Sequence, residues 1–182
     1  MAGHGHVDHH SSNKGVALLI SILALVLAFS ETLGKSAQTS GLSFNIQASN
    51  FWAFYQAKTI RQTTLRTAAD QLAQIADSDQ AKKQIDAWKK TADRYESEPD
   101  KGEGRKELAE RAVAAEKKRD LALAAYHHYE MSSAAVQIAI VLASASIVAS
   151  VPALVWLACT LGLVGIGFCV VGFWFPTAIH LF

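Results

Sequence analysis

Apolar runs and charged runs alternate along this chain on a scale of tens of residues. The segment from Ser132 to Phe182 contains no Asp, Glu, Lys or Arg. As one helix it would measure about 75 Å, against a hydrocarbon core of roughly 30 Å, so it must turn back. The turn is written at Ser150-Val151-Pro152, because proline disfavours helix in the residue before it and suits the first turn of a new one. Two spanning helices are therefore predicted, Ser133–Ser150 and Pro152–Phe175. A third apolar run, GVALLISILALVLAFS over Gly15–Ser30, is extendable through Leu33 and Gly34 with Glu31 at the interface. With no convincing basic start and no clear small-x-small cleavage site, it reads as an uncleaved anchor rather than a signal peptide.

Small residues recur at steps of three and four in all three runs: Ala17, Ser21, Ala24 and Ala28; Ala135, Ala139, Ala143, Ser146 and Ser150; Ala158, Gly162, Gly165, Cys169 and Gly172. Such faces let backbones approach closely, which drives helix association in lipid. Ala139, Ala143, Gly162 and Gly165 are accordingly the predicted packing contacts, within one chain or between copies. The string GLVGIG at Gly162–Gly167 follows no strand and carries no nucleotide-binding meaning.

The middle of the chain opens at Gly34 and Thr39-Ser40-Gly41 and then turns helical. Ala53, Ala57, Ile60, Thr64, Ala68, Leu72 and Ile75 form a stripe, with Lys58, Arg61, Arg66 and Asp70 off it. Asp77-Ser78-Asp79-Gln80 reads as a stop and restart, with Asp77 as N-cap. A second helix shows Ile85, Trp88, Ala92 and Tyr95. Glu98–Gly104 is the turn of the region, and a return helix from Arg105, with Leu108, Ala112, Ala115, Ala122, Tyr126 and Tyr129 on one face, runs on without a breaker into the second span. The fold class is thus all-α: three transmembrane helices plus an extramembrane antiparallel helical hairpin, a coiled-coil-like arm. The expected division is a His-rich tail over 1–14, a first span over 15–33, the arm over 34–131, and a hairpin of two spans over 132–182. The outgoing arm, Leu42 to Glu98, would need about 85 Å against about 40 Å for Arg105 to Met131. Part of it must bend aside. Phe44, Phe51, Trp52, Phe54 and Tyr55 mark that part, lying on the bilayer surface, on a neighbouring protomer or in a helical core.

Charge refines this picture. Apart from Asp8 and Lys14, every charged residue lies between Glu31 and Glu130, a pattern for two solvents. Lys35, Lys117, Lys118 and Arg119 flank the membrane on the side of the arm, which predicts a cytoplasmic arm. Cys159 and Cys169 are about 15 Å apart on one helix and cannot bridge within a chain. His4, His6, His9 and His10 are spaced as imidazoles that could hold a divalent metal such as zinc, nickel or copper, or they form a polar tail with no such role. No other cofactor is implied. His127 and His128, between Tyr126 and Tyr129, are expected at the headgroups. Acids alternate with bases along the arm, as on a solvated face, so nucleic acid is not an expected partner.

One segment carries a resemblance. Gln47-Ala48-Ser49-Asn50-Phe51-Trp52-Ala53-Phe54-Tyr55-Gln56-Ala57-Lys58-Thr59-Ile60-Arg61-Gln62 resembles the hallmark segment of a bacterial membrane-protein family of unknown function, DUF4337. A His-rich start, one anchor, a charged helical middle and two closing spans are similar too. The resemblance implies a helical protein of the bacterial inner membrane and no activity or site.

No nucleophile-base pair, Walker sequence or paired-cysteine signature is present, so an enzyme is not expected. The expected function is an oligomeric structural or interaction module in the lipid bilayer, possible accessory of a larger membrane complex, with Phe51, Trp52 and Tyr55 as further contact residues. The alternative is an oligomeric passive channel lined by Ser144, Ser146 and Thr160.

Overall fold

The computed structural model describes residues 9–75 and 77–178, with side chains from Lys14 onward. His4 and His6, the side chains of His9 and His10, and His180 lie outside the described residues. Four helices follow in order: α1 His9–Ala73, α2 Asp79–Glu96, α3 Arg105–Ala149 and α4 Pro152–Trp174. The all-α class expected from the sequence is the class observed. Stretches of α1 and α3, and the whole of α4, are long and apolar enough to cross a membrane. Their apolar side chains also point outward, as with Leu18 at 64%, Val141 at 66% and Leu163 at 69% exposure, an arrangement that suits lipid and not water.

The chain divides into two compact units, one of Met1–Gly41 with Leu121–Phe182, the other Leu42–Asp120. In the first, α3 runs antiparallel to α1 and α4 antiparallel to α3. Its core holds Val16, Leu23, Val136, Ala139, Ala143 and Ala158. The predicted small faces of the second and third runs pack over most of their length: Ala139, Ala143, Ser146, Ala158, Gly162, Gly165 and Gly172 are buried and Ala135 and Cys169 half-buried, while Ser150 is exposed. A Cβ on Gly162 would lie 2.6 Å from Leu23 Cδ2, and one on Gly165 would lie 2.5 Å from Val136 Cγ2. The face predicted for the first run is corrected. Ala17, Ser21, Ala24 and Ala28 are exposed, and Val16, Leu23, Ser30 and Gly34 are buried instead. Leu23 on α1 and Val136 on α3 fill the space that Gly162 and Gly165 on α4 leave open, so one small face per contact is enough.

The helix expected to start only at Leu42, after Gly34 and Thr39-Ser40-Gly41, is corrected, because α1 passes through both glycines unbroken, although the second compact unit does begin at Leu42. They serve close packing: a Cβ on Gly34 would lie 3.3 Å from Tyr129 Cβ, and one on Gly41 would lie 2.9 Å from Leu123 Cδ2. The cost of a glycine in a helix, about 1 kcal/mol, is offset by that approach. Thr39 Oγ1 donates to Lys35 O at 2.8 Å, so its hydroxyl is satisfied within the helix.

In the second unit the reversal falls between α1 and α2, not at Glu98–Gly104. α1 closes with Gln74 N–H to Gln71 O at 3.2 Å and Ile75 N–H to Leu72 O at 3.1 Å. Ser78, one residue beyond the expected Asp77, then caps α2 by accepting from Ala81 N at 3.2 Å. α2 returns along α1, and the Ser97–Gly104 connection lets α3 continue in the same direction. The length mismatch disappears, because α2 and the start of α3 together cover one side of α1. α2 buries Ile85 and Ala92, with Trp88 and Tyr95 half-buried, on its predicted face.

Buried positions recur at seven-residue steps: Val16, Leu23 and Ser30 and then Gly34, Gly41 and Ala48 on α1, with Gln62 and Ala69 in the same phase. On α3 they are Leu108 and Ala115, then Tyr129, Val136 and Ala143. That period of 3.5 keeps one seam turned to its partner along a long helix.

Replacing Gly165 with Leu should destabilise the first unit by about 1–3 kcal/mol through overpacking. Gly167→Ala should be close to neutral, since nothing lies within 4 Å of a Cβ there. Thermal unfolding of the detergent-solubilised chain, followed by circular dichroism, compares the two.

Candidate functional site: a polar junction between helices

Where α1, α2 and α3 meet in the second unit, the packed layer is made largely of polar groups. Gln62 is 2% exposed. Its Nε2 donates to Ala92 O at 3.0 Å and to Glu96 Oε2 at 2.9 Å, and its Oε1 accepts from Arg105 Nη1 at 2.6 Å. Turning the amide over would set donor against donor, so the network itself assigns its orientation. Arg105 Nη1 also donates to Glu96 Oε2 at 2.8 Å and Nη2 to Tyr55 OH at 2.9 Å. The guanidinium carbon lies 4.9 Å from the Tyr55 ring centroid. One planar cation thereby fastens three helices, which a lysine ammonium has neither the donors nor the shape to do. Its Nε is buried without a partner.

The connection beside it is equally specified. Ser97 Oγ donates to Glu107 Oε1 at 2.5 Å, and Glu98 N–H donates to Glu107 Oε2 at 3.3 Å, so the Glu107 carboxylate closes the α2–α3 loop. Gly102 has φ +63 and donates its N–H to Glu98 O at 2.9 Å, a turn suited to glycine. A Cβ on Gly104 would lie 2.5 Å from Glu98 N and 2.6 Å from Ser97 Cα, and no side chain fits there.

The hydrogen bond from Gln62 holds the Glu96 carboxyl below its usual 4.5, with burial opposing and the Arg105 charge assisting. The lowered value means the carboxylate stabilises the folded chain above the usual carboxylate range. That contribution is lost as pH falls through the folded value.

In the first unit a shorter polar chain crosses the three apolar helices. Ser132 Oγ donates to Gly165 O at 2.7 Å. With its single proton so used, Ser132 must accept in its 2.8 Å contact with Ser30 Oγ, which makes Ser30 the donor. His128, expected at the headgroups, is instead 1% exposed, stacked on Phe168 and bonded through Nε2 to Pro176 O at 3.1 Å.

The predicted contact residues separate into two sets. Ala139, Ala143, Gly162 and Gly165 lie in the first unit's core. Phe51, Trp52 and Tyr55 lie in the second, on the face of α1 turned to α3. Trp52 Nε1 donates to Glu116 Oε1 at 2.9 Å, and Arg111 stands 4.4 Å from the Phe51 ring centroid. Phe51, Trp52 and Tyr55 are half-buried between α1 and α3, whereas Phe54 is 61% exposed. The stripe Ala53, Ala57, Ile60, Thr64 and Ile75 faces outward, and the packed face is Ala48, Trp52, Tyr55, Gln62 and Ala69. Sequence reasoning missed Gln62, Glu96 and Arg105 as a unit. The available signal was the seven-residue step from Tyr55 to Gln62 to Ala69. Among the described residues no three His, Cys, Asp or Glu side chains are grouped to hold a metal. The arrangement is one that joins helices.

A family model described as "Domain of unknown function (DUF4337)" matches residues 12–175. No curated protein and no solved structure matches the chain. The segment quoted above for its resemblance is the one that supplies α1's side of the junction.

Arg105→Lys should lower stability by about 1–3 kcal/mol, since Glu96 and Gln62 lose a shared partner at a partly exposed site. Urea unfolding of the full chain in detergent measures this. In the parent chain the melting temperature should fall as pH drops below the ordinary carboxylate range, and Glu96→Gln should flatten that dependence.

Proposed function

We propose, from the premise that the chain belongs to the DUF4337 family, that it is a non-enzymatic integral membrane protein, an oligomeric structural or interaction module. Its three apolar stretches anchor it in the bacterial inner membrane, and its polar helices form a coiled-coil-like arm on the cytoplasmic side, in keeping with Lys35, Lys117, Lys118 and Arg119 beside the spans. Such an arm is suited to an accessory of a larger membrane complex.

The observation that carries this reading is how the polar groups of the junction are used. Tyr55, Gln62, Glu96 and Arg105 are engaged with one another, and Glu107 with Ser97. Groups so engaged set the register of helices, and a stiff, registered helical body is what a docking module requires. The channel alternative draws less support. Ser144 and Thr160 donate to Ile140 O at 2.8 Å and Leu157 O at 2.9 Å, and Ser146 donates to Ala143 O at 2.6 Å. A hydroxyl satisfied by its own helix needs no water-filled lumen.

Two measurements test the proposal. Extraction in native lipid should give a particle whose protein mass includes a multiple of the 19.6 kDa chain, and a single chain alone would refute the oligomer. Liposomes containing the purified chain should hold an ion gradient as well as empty ones do. Rapid dissipation would favour the channel.

A further inference from the structure

The outward face of α1 in the second unit carries a second seven-residue seam. Ile46, Asn50, Ala53, Ala57, Ile60 and Thr64 follow at alternating steps of four and three, continued by Thr67 and Gln71, and all are exposed. Ile46 and Ile60, two heptads apart, are 53% and 67% exposed. The charged residues of the same stretch, Lys58, Arg61, Arg66 and Asp70, all lie off this line. The first unit's part of α1 repeats the spacing with Leu18, Ile22, Leu25 and Phe29, again exposed and uncharged.

We infer that this seam is the contact between two copies of the chain, α1 against α1. The inference rests on the reading above that the protein is a self-associating membrane module, and names the surface. Three features select a second copy as the occupant. A period of 3.5 stays in register only with another helix wound the same way, and α1 itself is such a helix. An uncharged strip offers no complement to a charged partner, whereas two uncharged strips meet without burying an unpaired charge. Area agrees as well: strips about 38 Å and about 17 Å long and about 10 Å wide bury about 1,100 Å² between two copies, close to the ~1,200 Å² lower bound for specific pairs. Confinement to one membrane raises the effective concentration further. Copies inserted with one orientation are related by a two-fold axis along the membrane normal, so each seam residue meets its own counterpart. Asn50 then faces Asn50, a polar pair that fixes register.

Single cysteines in the full chain, in membranes and in a Cys159→Ala, Cys169→Ala background, test this under mild oxidation. Ala53→Cys and Ile60→Cys should each form a same-residue disulfide dimer, while Lys83→Cys on α2 and Lys117→Cys on α3, both exposed, should not. Ile60→Asp should weaken association at least tenfold by energy transfer between labelled copies. Helix content should be unchanged, since Ile60 makes no core contact. No dimer at 53 or 60, or equal dimer at all four sites, overturns the seam. If that happens while the native-lipid mass remains a multiple of the chain, the seam alone fails and the module reading stands. A different protein lost on Ile60→Asp without a 60–60 disulfide assigns the face to that partner and overturns self-contact.

Discussion

Among the described residues α2, α3 and α4 are each packed against α1, and α1 can receive them only because one line of its surface recurs at seven-residue steps. A helix of 65 residues at the ideal period of 3.6 would carry a fixed set of side chains steadily around its axis, drifting by about 20° per heptad. With buried positions at Val16, Leu23 and Ser30, and from Gly34 through Ala69, the seam stays turned to its partners. Two of the three breaks between the described helices, the one between α1 and α2 and the one at Ser97–Gly104, serve this constraint. The first reverses direction and the second restarts a helix without reversing it.

What fills the seam changes along its length. In the first unit the filling is steric: Leu23 seats against Gly162, Val136 against Gly165 and Tyr129 against Gly34. Association in lipid gains little from apolar burial itself, so close approach and a few buried hydrogen bonds carry the packing. The chain Ser30–Ser132–Gly165 supplies such bonds at one level of the bundle. In the second unit the filling is polar and aromatic, with Gln62 and Tyr55 held by Arg105. A polar cluster in which every side-chain polar atom of Gln62 is paired specifies one register more sharply than leucines would, since any slip strands a buried donor or acceptor.

This division sets which packing positions are legible in the chain. Ala139, Ala143, Gly162 and Gly165 are legible as packing positions because small residues at helical spacing let helices approach closely, and Leu108, Ala112 and Ala115 because they line one apolar face. Ala53, Ala57 and Ile60 were read as the face of the arm's first helix because hydropathy ranks them above Gln62 and Tyr55. The packed face is the more polar one, and a hydropathy pattern has no access to a glutamine whose hydrogen bonds are all met inside the protein. Gly34 and Gly41 look like breakers one at a time, yet helix α1 crosses both where a neighbouring helix lies against the missing Cβ.

Composition and order alone determined that the chain is helical, where charge stops and apolar surface begins, that Pro152 starts a new helix, and which faces of α3 and α4 are small enough to pack. These follow from local rules of period, solvent and steric size, each acting within a few residues. Only the tertiary structure decided which side of α1 is inside, where the arm reverses, and that residues as far apart as Tyr55, Gln62, Glu96 and Arg105 form one cluster. Those outcomes depend on pairing between distant segments, where a polar side chain becomes a core residue once its partners arrive, and no local rule counts partners that have yet to meet.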